Sequence, residues 1–279
     1  MVFERHRIGY PNVEVLLLDA SEYGVPQQRR RVFYVGVRDD LCDRVVETRG
    51  LLLAALQKQR VAKPVTVWDA IGDLPSRVVD SGKTMPYPPR IGLSAFAKQM
   101  RLDCEGSIYS KAAKRASGGI RQLDPSLLYN HHTKEIQARR LALIKLLKPG
   151  AKANSLPTEV WNGARPEKWR RLHPDESAYT LLAQMHRDLS EFVHPKLHRW
   201  ITVREALRLQ SFHDGYVPVT SEWQQLKQIG NAVPPLLARA VASAAAELLA
   251  AVRAERGRVI ALPRGHQLSL FARRAAARA

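Results

Sequence analysis

The chain has 279 residues, 45% of them apolar, which is enough to bury one or two cores. Lysine and arginine total 44 against 26 acidic residues, a formal charge of +18 that points to a polyanionic partner such as nucleic acid, or to a solvated cationic surface. Two distant cysteines exclude a disulfide framework and a CxxC zinc site, and the absence of an apolar run of about eighteen residues argues against a membrane span. No apolar signal segment follows Met1-Val2-Phe3-Glu4-Arg5, so a reduced, cytoplasmic setting is expected.

In chain order, Val13 to Leu18 and Val32 to Val37 read as two strands lying together as an antiparallel pair. Such a pair is marginal alone and marks the margin of a larger sheet. Thr66-Val67-Trp68-Asp69 is a capped helix start, stopped by Gly72 and Pro75. From Ser76 to His132 the chain reads as irregular, with Pro86, Pro88, Pro89, Gly118 and Gly119 as breakers. Lys134 to Lys148 reads as a helix with Ile136, Leu141, Ile144 and Leu147 on one face and Thr133 as cap. Thr202 and Glu205 form a capping box for a helix running to about Phe212. Pro234-Pro235 opens a last, alanine-rich helix ending near Gly257, and a basic tail follows.

Three strings carry more than local structure. The first is Tyr23-Gly24-Val25-Pro26-Gln27-Gln28-Arg29-Arg30-Arg31, running into Val32-Phe33-Tyr34-Val35-Gly36-Val37. The second runs from Arg199 to Phe212, and the third is Gln228-Ile229-Gly230-Asn231-Ala232-Val233-Pro234-Pro235. Alone, three arginines read as a solvated charge run, and Gly-Asn-x-x-Pro-Pro as an ordinary helix start. In this order, with weaker matches at Thr66–Pro75 and Arg170–Thr180, they resemble the DNA cytosine-5 methyltransferases over roughly residues 8 to 250.

Methylating carbon 5 of cytosine requires an extruded base, a nucleophile at carbon 6 and a donor on the exocyclic oxygen. Period-two spacing puts Gln27, Arg29 and Arg31 on one face, and a guanidinium fork suits a carbonyl or phosphate oxygen. The resemblance implies that Arg31 contacts the flipped cytosine, that Arg29 braces the catalytic loop and nearby phosphates, and that Gln27 orders the turn and contacts DNA. It implies that Asn231 and Val233 line one wall of an S-adenosylmethionine pocket. It also implies an α/β fold: the C-terminal portion of a Rossmann-like methyltransferase sheet plus a smaller target-recognition domain. His213 stands where the family has proline. Trp161, Arg165, Lys168, Trp169, Arg170 and Arg171 form a basic-aromatic cluster, either a surface for double-stranded DNA or, for the tryptophans, core.

Some family blocks have no counterpart. Cys42 follows Leu41 and Cys104 follows Asp103, so neither lies in the Pro-Cys nucleophile block. The Glu-Asn-Val block and the glycine-rich cofactor loop are also missing from the sequence, and the histidines, including His131-His132, lack metal-ligand context. The expected organisation is edge strands and first helix of a catalytic domain over 1–75, target recognition over 76–198, closing helices over 199–257 and a flexible tail over 258–279. The expected function is part of a restriction-modification methyltransferase, inactive alone and completed by an N-terminal partner chain. A non-catalytic sequence-specific DNA-binding protein or an inactive truncated methyltransferase stands as the alternative. Gln267-Leu268-Ser269-Leu270-Phe271 resembles the peptide that docks on the replication sliding clamp, or else packs on its own domain.

Overall fold

The computed structural model describes residues 9–10, 12–38, 41, 48–108, 123–161, 169–183 and 191–260. In chain order the elements are β1 (Asn12–Asp19), a 3-10 turn over Ala20–Tyr23, β2 (Arg30–Val37), α1 (Thr48–Lys58), α2 (Val67–Ile71), β3 (Thr84–Pro86), α3 (Ala95–Met100) and β4 (Leu127–Tyr129). They continue with α4 (Ala138–Leu146), a second 3-10 turn over Ala153–Ser155, β5 (Trp169–Arg171), β6 (Glu191–Val193), α5 (Val203–Leu209), α6 (Glu222–Asn231) and α7 (Pro235–Ile260). The chain forms two compact units, one of Met1–Leu18, Val32–Arg60 and Arg239–Ala279, the other of Asp19–Arg31 and Val61–Ala238.

In the first unit β1 pairs with β2, as the two β-branched runs predict. Side chains alternate across the pair. Leu16, Leu18 and Val37 are buried, whereas Val13, Val15, Leu17, Val32 and Tyr34 are exposed, Leu17 by 64% and Tyr34 by 74%. Both faces are therefore apolar, the composition of a sheet covered on both sides, yet only one face is covered among the described residues. α1 buries Leu52, Ala55 and Leu56. Its periodic signal is weak because Leu51 and Leu53 face outward, so it was not among the expected elements. Lys58 pairs with Glu247 at 2.7 Å and Arg49 with Glu14 at 3.1 Å, linking α1 to α7 and to β1. Both pairs are exposed and worth little individually.

In the second unit α2 packs on α3 and α5, and α5 packs on α6. Two short strand pairs accompany them: β3 antiparallel to β4, with Thr84 opposite Tyr129, and β5 parallel to β6, with Trp169 opposite Glu191. Segment 76–132, expected to be irregular, therefore holds two strands and a helix among its described residues. α3 is capped by Ser94, whose hydroxyl accepts from the Ala97 N–H at 2.9 Å. Both expected caps on α2 and α5 form: Thr66 with Asp69, and Thr202 with Glu205, each as a reciprocal capping box.

Two boundaries differ from expectation. α4 begins at Ala138 rather than after Thr133. The Lys134 N–H instead donates to Glu222 Oε1 at 3.2 Å, and the Thr133 hydroxyl is buried with no partner among the described residues. α5 stops at Leu209 because Ser211 takes a left-handed conformation, φ 59°. The third string also holds the end of a further helix, α6, so Gly230 and Asn231 close one helix just before α7 opens at Pro235, as expected. Finally, the stretch Glu222–Ala254 is long and apolar enough, by length and composition only, to cross a membrane. Alanine content raises its hydropathy, but it comprises two helices separated at Ala232 and Pro234, with Leu226, Ile229, Leu237, Ala240, Ala244, Leu248 and Val252 buried.

Candidate active site

The turn between β1 and β2 is built before it is functional. Asp19 caps the 3-10 turn, its carboxylate accepting from Ser21 N at 3.1 Å and from Arg29 N at 3.3 Å. Gly24 closes the turn in the left-handed region, φ 80°, where a side chain would be strained and would press on Val61. Asp19 escaped the sequence reading, although an aspartate before Ala-Ser-Glu is a cap signal.

The predicted face holds: burial alternates, with Gln27 and Arg29 inside, Gln28 and Arg30 outside, and Arg31 half-buried. Gln27 Nε2 donates to Leu209 O at 3.3 Å, and its Oε1 accepts from Leu181 N at 3.2 Å. It orders the turn and offers no surface to DNA, which corrects its assignment as a DNA contact. Arg29 is 1% exposed. Its guanidinium donates to Leu181 O at 2.9 Å, Gly230 O at 2.6 Å and Ala232 O at 3.1 Å. The last two acceptors lie at the C-terminal end of α6, where carbonyls lack intrahelical partners and the helix dipole favours a cation. Arg29 therefore binds the first string to the third from inside the fold. Burial, with Arg31 adding like charge, pulls its pKa down to about 10, so it stays protonated at neutral pH. Arg31 is the outermost of the three, and its Nη1 donates to Arg30 O at 2.7 Å.

The contacts of Leu181 show that segment 178–181 belongs to the site. Gln28 N donates to Ala178 O at 2.8 Å, Ala178 N to Pro26 O at 2.9 Å, and the Thr180 hydroxyl to Gln28 O at 2.6 Å. In the sequence Arg170–Thr180 carries only a weak family match, because backbone lacing leaves no side-chain signature. Gly230 packs on the same segment, and a Cβ there would meet the Leu182 carbonyl at 2.5 Å. Asn231 and Val233 are exposed at the junction of α6 and α7, Val233 by 45%. An amide beside an apolar side chain fits one wall of a site for a ligand with polar and apolar parts, as S-adenosylmethionine has.

The basic-aromatic cluster divides. Trp169 is buried with Ile144, Leu147, Ala153, Leu156, Val193 and Trp200, and Trp161 packs on it at 4.5 Å between centroids, so these tryptophans are core. Arg171, expected on DNA, is 2% exposed and donates to the carbonyls of Leu147, Ile144, His194 and Leu197. Its fork is fully engaged inside the fold, which removes it from the DNA-facing set. Arg170 stays half-exposed, its guanidinium 3.8 Å from the Tyr179 ring centroid. Arg165 and Lys168 lie outside the described residues, as do Cys42 and Gln267–Phe271.

α5 is anchored by charge. Arg208 donates to Asp214 at 2.8 and 2.7 Å and also reaches Asp73, while the Tyr87 hydroxyl donates to Asp214 at 2.6 Å. Burial opposes the charge on Asp214, but Arg208, Arg204 and Tyr87 outweigh it and hold the carboxyl below the ordinary carboxylate range. Arg101 joins this network through Asp73 and Asp103. Cys104 sits beside Asp103, and burial together with that carboxylate pushes its thiol pKa up, the reverse of what a nucleophile needs.

With this geometry in view, the family profile described as C-5 cytosine-specific DNA methylase matches residues 3–247. The chain belongs to the C-5 cytosine-specific DNA methylase family. It is 34% identical to the type II methyltransferase M.AgeI of Thalassovita gelatinovora, over 87% of this chain and 67% of that protein. It is 31% identical to M.DdeI of Desulfomicrobium norvegicum, over 86% of this chain and 55% of the relative. With M.XorII of Xanthomonas oryzae pv. oryzae the identity is 32%, over 81% and 48%. This methylase chain thus spans about half to two thirds of those relatives' length. In fold it matches a crystal structure named as a DNA modification methyltransferase encoded within a prophage (E. coli), with TM-score 0.60 and 22% identity over 85% of this chain and 61% of that one.

Proposed function

We propose that these residues form the C-terminal part of a type II DNA cytosine-5 methyltransferase acting on a specific sequence in double-stranded DNA, in a bacterial cytoplasmic setting. The observation that carries this reading is Arg29, whose guanidinium joins the Gln27–Arg31 block to the Gly230–Val233 block. In this reading the chain divides into 1–75, 76–198, 199–257 and 258–279, with 76–198 as the target-recognition region.

In this reading Arg31 presents its donor fork to the extruded cytosine, Arg29 fixes the strand that carries it, and Arg170 faces the DNA. Asn231 and Val233 hold S-adenosylmethionine, which when bound supplies the methyl group. The cofactor loop, the nucleophile and the acidic group come from an N-terminal partner chain, so this chain alone is inactive. One observation supports that requirement. One face of the β1–β2 pair is apolar and exposed, and such patches mark interaction sites. Gln267–Phe271 docks on the sliding clamp.

A methyl-transfer assay with labelled S-adenosylmethionine and mixed-sequence DNA tests the reading. The expected result is transfer only when the chain is combined with a polypeptide carrying the Pro-Cys and Glu-Asn-Val blocks, with loss of at least about 100-fold on Arg31→Ala, the scale of removing one oriented donor. Transfer by the chain alone overturns the partner requirement. Sequence-specific DNA binding without transfer in the mixture moves the assignment to a non-catalytic DNA-binding protein.

A further inference from the structure

β5 alternates, with Trp169 and Arg171 buried and Arg170 between them directed outward. The Arg170 guanidinium lies 3.8 Å from the Tyr179 ring centroid and has no hydrogen-bond or ion-pair partner among the described residues. A guanidinium stacked on a ring keeps its in-plane donors available, because the ring contacts its face and not its edge. Tyr179 lies within the segment laced to the catalytic turn. Ala178 before it exchanges backbone hydrogen bonds with Pro26 and Gln28, and the Thr180 hydroxyl after it donates to Gln28 O. Leu181 meets both Gln27 and Arg29. The stack therefore ties an outward cation to the same stretch of backbone that fixes Arg29 and precedes Arg31.

We infer that Arg170 grips a DNA phosphate beside the extruded cytosine, and that Tyr179 is the positioning residue that aims it. This rests on the methyltransferase reading. Stacking removes rotamer freedom from a long side chain, so the contact forms with less ordering than a free arginine requires. The ligand is a backbone phosphate, which carries no sequence information, so the pair sets register and not target choice.

Binding of the full 279-residue chain to duplex DNA across a salt series tests this, using wild type, Arg170→Gln, Arg170→Lys, Tyr179→Phe and Tyr179→Leu. The expected slope of log affinity against log salt falls by about 0.9 in Arg170→Gln, the value of one lost phosphate contact, and is retained in Arg170→Lys. Tyr179→Phe keeps wild-type affinity, whereas Tyr179→Leu binds several-fold more weakly. A purely structural role would lower the thermal midpoint without moving the slope. An unchanged slope in Arg170→Gln overturns the phosphate grip, and equal affinities for Tyr179→Phe and Tyr179→Leu overturn the positioning role. Wild-type chain without salt-dependent binding removes the DNA reading itself, a result distinct from both.

Discussion

At the scale of single residues, three neighbouring arginines have three fates. Arg29 is buried on carbonyls, Arg30 is exposed, and Arg31 sits between these extremes. Period-two spacing makes the alternation legible, because a strand must send successive side chains to opposite faces. What the sequence cannot give is the identity of Arg29's acceptors, since Leu181, Gly230 and Ala232 lie 152 to 203 residues away. Arg29→Ala leaves three inward carbonyls without a donor, and the expected cost is roughly 2–4 kcal/mol in urea unfolding. A loss under about 0.5 kcal/mol would mean that the three carbonyls find other donors. Arg171 teaches the opposite lesson. Its place in a basic run suggests DNA, yet its fork is filled by four carbonyls inside the fold.

At the scale of elements, helix ends decide the site. α6 terminates against segment 181–183, and Gly230 is the point of closest approach. Gly230→Ala inserts a methyl group into the Leu182 backbone, which cannot give way as a side-chain tip can. The expected result is a lowered thermal midpoint and, on the proposed reading of Asn231 and Val233 as a cofactor wall that moves with the helix end, weaker S-adenosylmethionine binding in the completed enzyme. A variant with wild-type midpoint and binding would show that the two backbones separate freely. His194 sets a second element-level property. Its Nδ1 accepts from Lys196 N at 3.1 Å and Leu197 N at 3.0 Å, so the ring is neutral with its proton on Nε2. Burial pulls its pKa down to about 4, with the Glu205 carboxylate opposing. A folded value below the unfolded one, about 6.5, means that the unfolded chain binds the proton more readily. Stability from this group is present above about pH 6.5 and lost as pH falls through about 4, with a limiting slope near 1.4 kcal/mol per pH unit. Urea melts between pH 7.5 and 4 read this directly, and His194→Gln should flatten the window. The capping boxes of α2 and α5 were legible because both partners lie three residues apart. The start of α4 was not, because a contact from Lys134 to Glu222, 88 residues away, displaces it.

At the scale of the whole molecule, the two proposed protein partners differ in kind: a polypeptide that completes the β1–β2 sheet and a sliding clamp that takes the tail peptide. If Gln267–Phe271 docks on the sliding clamp, the chain binds purified clamp in calorimetry, and Leu270→Ala with Phe271→Ala abolishes the heat. Equal heats for both proteins would return the segment to an ordinary tail. The sequence by itself determined the two paired strands, the capped helices, the cationic balance and the family, because each rests on short-range spacing, composition or an ordered set of motifs. Only the tertiary structure decided which basic residues are outward and which are engaged inside. It also decided that Gly230 and Asn231 close a helix, and that segment 178–181 belongs to the site. These depend on hydrogen bonds to backbone carbonyls far away in the chain, and a carbonyl is the same in every residue, so it leaves no mark in the sequence.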